Sequence, residues 1–405
     1  MKGYTMSEPW SREYILLALR IDKAFRHVAG SWFVDYYYGP REWKVLVETE
    51  PALPASELVR AAGALADSLP TQGFEQHRAT YLGKQVVAME AVCRKLSGET
   101  FPLEEEVQRC FDIHAAWTPE ARFEQALALY DEALPGRGHL RDRFLAWHKH
   151  VALTWEQTDL IYRALAEARG RTRTFVNLPP DENVEVQMVT GKTFRAANWY
   201  LGNYHSRIEL NTDFPIDPLR LMNLMCHEGY PGHHVEAVLK EQQLYRIRDY
   251  REQAIFPIIS PQLVISEGIA MLAFHMLFAP GELEHWFAEQ LSFEQGIEVD
   301  GADMVKLRQA EDMLKGVEGN ALFLVREGRS SEEVLHYLMH YSLESEEQVH
   351  KQLQRLQHPL MDTYIFTYFY GKQLMEPWLQ GPDRKAVFQC FLSEQFSPSA
   401  LVQVR

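Results

Sequence analysis

Four cysteines among 405 residues, no two of them in a Cys-x-x-Cys pair, leave little room for disulfide or thiolate–metal chemistry. Cys93, Cys110, Cys226 and Cys390 read as reduced, buried thiols of an intracellular protein. Positive charge is also in deficit. The formal net charge of −15 would repel nucleic acid and anionic membrane, so neither is expected as a partner. No apolar run is long and clean enough to cross a bilayer. The greasiest stretch, Leu263 to Ala279, is interrupted by Ser266, Glu267 and His275 and reads as a buried helix. The opening residues MKGYTMSEPWSREY carry no apolar secretion segment, so the expectation is a soluble, cytoplasmic chain. Walker loops, a dinucleotide-binding Gly-x-Gly-x-x-Gly after a strand, and Gly-x-Ser-x-Gly are all missing.

What is present is core material: 46% hydrophobic and 12% aromatic residues. Residues 10–25, 55–69, 82–96, 121–134 and 152–168 each place apolar side chains at i, i+3 or i+4, and i+7, the spacing of amphipathic helices. The texture changes near residue 171. RTRTFVNLPP, NVEVQMVTGKTF and NYHSRIELNTDFP are rich in β-branched residues and alternate with period two, which predicts a small antiparallel sheet of three strands. Helical patterns resume at Asp217. The expected fold is mainly α, with a helical region over 1–170 and a second region over 171–405 packed with it as one unit. In that second region a small sheet precedes the helix carrying the stretch CHEGYPGHH.

That stretch carries the chemistry. On a straight helix, His-Glu-x-x-His aims two imidazoles at one point because residues four apart share a face. Here His227 is followed by His233 and His234, at i+6 and i+7. The first would point to the far side of a straight helix, and the second would lie about 10 Å along the axis. Pro231 and Gly232 change this, since Pro231 lacks the amide proton a helix needs and Gly232 tolerates unusual backbone. A bulge of two residues would bring His233 into the place of an i+4 ligand. His233 is therefore favoured as a metal ligand, with His234 the alternative and otherwise a supporting or substrate-contacting group. A catalytic zinc keeps three protein ligands and one open position. Glu267 supplies the third, because an unpaired carboxylate inside an apolar helix is costly unless a cation is near. Ser260 and Pro261 mark that helix's start. Glu228 would act as general base beside a zinc-bound water, first accepting its proton and then passing it to the leaving amine. The strand NYHSRIELN would offer an edge on which an extended peptide substrate could lie.

HEGYPGHH followed by SEGIAMLAF resembles the signature of the family called domain of unknown function 885, which is placed among gluzincin-like metallopeptidases. IELNTDFP, TYFYGKQL and FVDYYYGP are looser matches. The resemblance implies a mostly helical peptidase-like fold and one zinc ion per chain held by His227, by His233 or His234, and by Glu267. It also implies Tyr368 as an oxyanion donor. The family's Asp-x-Gly-x-His stretch corresponds to NALFLVREGRSS, which lacks both the Asp and the His. If those residues serve catalysis in relatives, this chain has altered specificity or activity.

Plainer readings compete. The histidines could favour a helix C-terminus closed by Pro-Gly, Glu267 could pair with a buried Arg or Lys, and Tyr368 could be a core aromatic. His205 reads as solvated and Cys226 as packing. A catalytically inactive helical scaffold that keeps the metal is the main alternative function. Glu282/His285, Glu333/His336 and Glu347/His350 have the Glu-x-x-His spacing of di-iron bundles, but each reads better as an exposed first turn.

Overall fold

The computed structural model describes residues 7–153, 158–192, 194–214, 216–283, 285–286 and 302–402. The chain is mainly helical. Helices Ser7–Ala29, Ala55–Ser68, Gln76–Leu96 and Glu120–Ala133 fall where the apolar spacing predicts them, and Leu58, Ala62 and Leu65 form the buried stripe of the second. Residues 154–157, at the start of the expected helix 152–168, lie outside the described residues, and the helix there runs Thr158–Thr172.

Two small sheets interrupt the helices. Strands β1 (Val34–Tyr37) and β5 (Ile255–Pro257) pair antiparallel, while β2 (Asn183–Val189), β3 (Ala196–Gly202) and β4 (His205–Asn211) form a separate sheet in the order β2-β4-β3. This sheet departs from the expectation in three ways. RTRTFVNLPP is no strand, because the preceding helix continues through Thr172. AANWYLG is one, despite its Ala, Asn and Gly, because it pairs with β4 through a tight hairpin whose Asn203 and Tyr204 both take positive φ. The hairpin returns β4 between β3 and β2, so β2 and β4 run parallel and the sheet is mixed. NYHSRIELN is therefore the central strand, and β3 is the edge nearest the site.

Four helices at the site are labelled α1 (Pro218–Leu224), α2 (His233–Lys240), α3 (Pro261–Leu277) and α4 (Phe366–Met375). Helix α3 is apolar all round and correspondingly buried all round. Its Leu263 and Val264 join an apolar cluster with Tyr14, Phe25 and Phe256, whereas Ile265 and Ile269 join another with Leu165, Met225 and Phe388. The wall between two cores is thus one helix, and Glu267 lies within that wall. The first cluster draws on residues both before 123 and after 254, so its packing crosses residue 170. Ser260 and Pro261 do open α3, but the Ser260 hydroxyl donates 2.6 Å to the Pro257 carbonyl and makes no cap bond to the helix.

Helices α3 and α4 cross in close contact through two glycines. A Cβ on Gly371 would lie 2.3 Å from the Val264 carbonyl oxygen and 2.7 Å from the Gly268 nitrogen, and one on Gly268 would lie 2.6 Å from the Gly371 carbonyl oxygen. Only hydrogen fits at either position. The crossing brings Tyr364 and Tyr368 to the level of Glu267.

Candidate metal centre

The chain reaches the site along α1, whose first turn is capped by Asp217 accepting from the Arg220 amide at 2.9 Å. Burial alone would raise the Asp217 carboxyl. The hydrogen bond from His148 and the charge of Arg220 outweigh it and hold the group at about 2. The helix then widens into a π-turn over Met225–Gly229, with the Tyr230 amide donating to the Met225 carbonyl at 3.0 Å and the Gly232 amide to that of Cys226 at 2.9 Å. Pro231, with no amide proton, falls between these two donors. A new helix, α2, starts at His233. Gly232 is required here for closeness rather than for a left-handed backbone. Its φ is −77°, but a Cβ would sit 1.9 Å from the His227 carbonyl oxygen.

This widened turn changes the i+6 geometry. The rings of His227 and His233 meet edge to face with centroids 4.8 Å apart. Their Nε2 atoms lie 3.4 Å and 3.7 Å from Glu267 Oε2. The three residues offer ligand atoms all within 4.8 Å of one another, and among the described residues no other group of three His, Cys, Asp or Glu does so.

The donor set fits a divalent cation. Glu267 is 2% exposed, and its Oε2 has no full hydrogen bond, its nearest polar neighbours being the imidazoles of His227 at 3.4 Å and His233 at 3.7 Å. An orphaned carboxylate oxygen in a core is costly unless a cation completes it. The other oxygen, Oε1, accepts from the Tyr364 hydroxyl at 2.7 Å, which fixes the plane of the carboxylate. His233 is oriented in the same manner. Its Nδ1 lies 3.1 Å from Ser266 Oγ, Ser266 donates to Glu236, and Lys240 neutralises Glu236 at 2.6 Å. Burial opposes a charged His227 ring, but Glu267 and Glu228 outweigh it and raise its pKa. Burial likewise works against an ionised Glu267, whose pKa His227 and His233 nevertheless lower.

Two imidazoles and one carboxylate, with His233 and Glu267 each held by a further hydrogen bond, make a donor set of the kind that holds zinc. No family model and no curated protein matches this chain. A solved structure does share its fold. A provisionally assigned lipoprotein from Colwellia psychrerythraea, 14% identical, aligns over 87% of this chain and 69% of its own with a TM-score of 0.53. Another from Shewanella oneidensis, of unknown function and 13% identical, covers 86% and 72% with a TM-score of 0.47. An M32 carboxypeptidase from Deinococcus radiodurans is 13% identical over 98% of this chain and 90% of its own, with a TM-score of only 0.38. The likeness to the Colwellia protein bears on fold. It also overturns the cytoplasmic location expected from the sequence, because the fold is shared with a protein assigned as a lipoprotein. Among the described residues no helix is long and apolar enough to cross a membrane.

The remaining candidates separate cleanly. His234 is fully enclosed and turned away from Glu267, with Nδ1 2.8 Å from Ser206 Oγ and Nε2 3.1 Å from Glu182 Oε2. Both ring nitrogens are thus engaged by Ser206 and Glu182, and none of the residue reaches solvent. The Glu228 carboxyl is 6% exposed, and its charge is felt by His227, Asp35 and Tyr368. Its carbonyl accepts from the Asn198 side chain of edge strand β3 at 2.7 Å. The Tyr368 ring lies 6.5 Å from that of His227, beside the site rather than deep in the core. Cys226 is wholly buried and its thiol is pushed up by that burial, as a packing residue. Cys390 is exposed, against expectation. No buried Arg or Lys pairs with Glu267 among the described residues. The Glu-x-x-His residues at 282/285, 333/336 and 347/350 all lie exposed on the surface.

Two site residues escaped the sequence reading. Tyr364 is one, and nothing local in the sequence marks its bond to Glu267. Asp35 lies in FVDYYYGP, a stretch noticed only for a loose resemblance. Burial, Glu228 and Glu267 push its carboxyl up to about 7.

Proposed function

We propose that this protein is a zinc-dependent hydrolase, a peptidase of the gluzincin type acting on amide bonds. The observation that carries the reading is the convergence of His227, His233 and the unpartnered Oε2 of buried Glu267. The resemblance of HEGYPGHH and SEGIAMLAF to domain of unknown function 885 agrees with it. A bound zinc ion would supply a Lewis acid and a water acidic near neutral pH. The chain's own groups supply the rest. Glu228, next in sequence to a ligand and on the same turn, takes the proton of the attacking water and delivers it to the leaving nitrogen. The Tyr368 hydroxyl, kept protonated by burial and by the charge of Glu267, donates to the oxyanion. Edge strand β3, fastened to Glu228 through Asn198, provides backbone on which an extended peptide lies.

Glu228→Gln tests this. Zinc content should stay at one per chain while hydrolysis of any peptide cleaved by the wild type falls by at least about 100-fold, within the usual range for a general base. Undiminished turnover removes Glu228 from that role. A wild type that binds zinc yet cleaves no peptide establishes the inactive scaffold instead.

A further inference from the structure

Asp35 is the extra residue of a β-bulge. Val34 pairs with Pro257 and Tyr36 with Phe256, so two residues of β1 oppose one of β5 and Asp35 falls between them. Such bulges re-aim a side chain, and they concentrate beside active sites. The strand is held rigidly on both flanks. Asp22 accepts the amides of Phe33 and Val34 at 2.8 Å and 3.0 Å, and β5 leads directly to the helix that carries Glu267. Asp35 is half-buried and has no hydrogen bond or ion pair among the described residues. Its electrostatic neighbours are Glu228 and Glu267, both carboxylates of the metal centre. Lys315, whose charge reaches His227, does not offset it.

Charge bookkeeping says what is missing. The two positive charges of a zinc ion balance Glu267 and Glu228, and the imidazoles are neutral as ligands. Asp35 is then a third carboxylate with no cation to balance it in a partly dehydrated site, where an unpaired charge is costly. We propose that Asp35 binds the substrate's own cation, the free α-ammonium of a peptide N-terminus, so that the enzyme cleaves close to that end. This assignment rests on the hydrolase reading above. The ammonium would give Asp35 a charge-assisted hydrogen bond and set the first peptide bond against the centre.

The test compares zinc-loaded wild type on one set of short peptides with free and with N-acetylated termini, one pair containing a lysine. The free-amine peptides should be favoured in kcat/KM by about 10- to 100-fold, the range for one charge-assisted hydrogen bond. Asp35→Asn should abolish that preference, lowering kcat/KM for the free-amine peptides towards that for the acetylated ones, without changing zinc content. Equal cleavage of free and acetylated peptides overturns the assignment and leaves the hydrolase reading standing. Rescue of acetylated peptides by an internal lysine, or a preference retained in Asp35→Asn, also overturns it. No cleavage of either form removes the hydrolase reading and this assignment together. The wild-type comparison needs no variant and decides the matter even if Asp35→Asn does not fold.

Discussion

Replacing Glu267 with glutamine changes one oxygen and tests the whole centre. In the metal-free protein Glu267 Oε2 is buried and unpartnered, a defect that costs roughly 1–3 kcal/mol and more for a charged group. Zinc relieves it. At about 1,000 times its dissociation constant, zinc stabilises the folded state by about 4.1 kcal/mol. With an unfolding entropy of about 2.1 cal/mol/K per residue, 405 residues give about 0.85 kcal/mol/K, so Tm should rise by about 5 °C. In Glu267→Gln the charged ligand is gone. Once the dissociation constant rises to the working zinc concentration, the same addition is worth only about 0.4 kcal/mol, less than 1 °C. Scanning calorimetry of both proteins, stripped with chelator and then reloaded, reads the two increments directly. Equal increments refute the ligand assignment. A large fall in the metal-free Tm with an unaltered increment would show that Glu267 serves the fold, as a partner of His227 and Tyr364.

Gly371→Ala places a Cβ 2.3 Å from the Val264 carbonyl oxygen, where backbone must move, and overpacking of this kind costs about 1–3 kcal/mol. A Tm lower by a few degrees and weaker zinc binding are expected, since Tyr364 moves with α4. Gly381→Ala, with nothing within 4 Å of its Cβ, is the control and should change neither. Asp217 governs acid stability. Its carboxyl is depressed from 3.8 to about 2 in the fold, worth about 2 kcal/mol. A depressed carboxylate stabilises above its unfolded value and loses that contribution as pH falls through its folded value, here between about pH 4 and pH 2. Urea midpoints of wild type and Asp217→Asn should converge across that window. A constant difference down to pH 2 would disprove it.

Local signals in the sequence were strongest where one turn of chain decides the outcome. The helices Ser7–Ala29, Ala55–Ser68, Gln76–Leu96 and Glu120–Ala133 follow from apolar spacing, and the break after His227 follows from Pro231 and Gly232. The strand errors show the opposite case. AANWYLG has poor strand propensity and is a strand only because β4 offers it a ladder, while RTRTFVNLPP has the composition of a strand but no partner. Edge or centre was equally hidden, since strand order is set by a hairpin whose Tyr204 gives no turn signal.

By itself, the sequence determined that an imidazole-rich turn must break its helix and that a carboxylate must be buried in the apolar helix that follows further along the chain. Both follow from proline's missing proton and from the apolar run around Glu267. Only the tertiary structure decided which imidazole faces that carboxylate. His234 is claimed by Glu182 and Ser206, while His233 is left for Glu267, through partners tens of residues away. The same holds for Asp35 and Tyr364, placed by a bulge and by a glycine crossing. Contacts between distant segments leave no periodic trace in either one, so they exist for the reader only once the chain has folded.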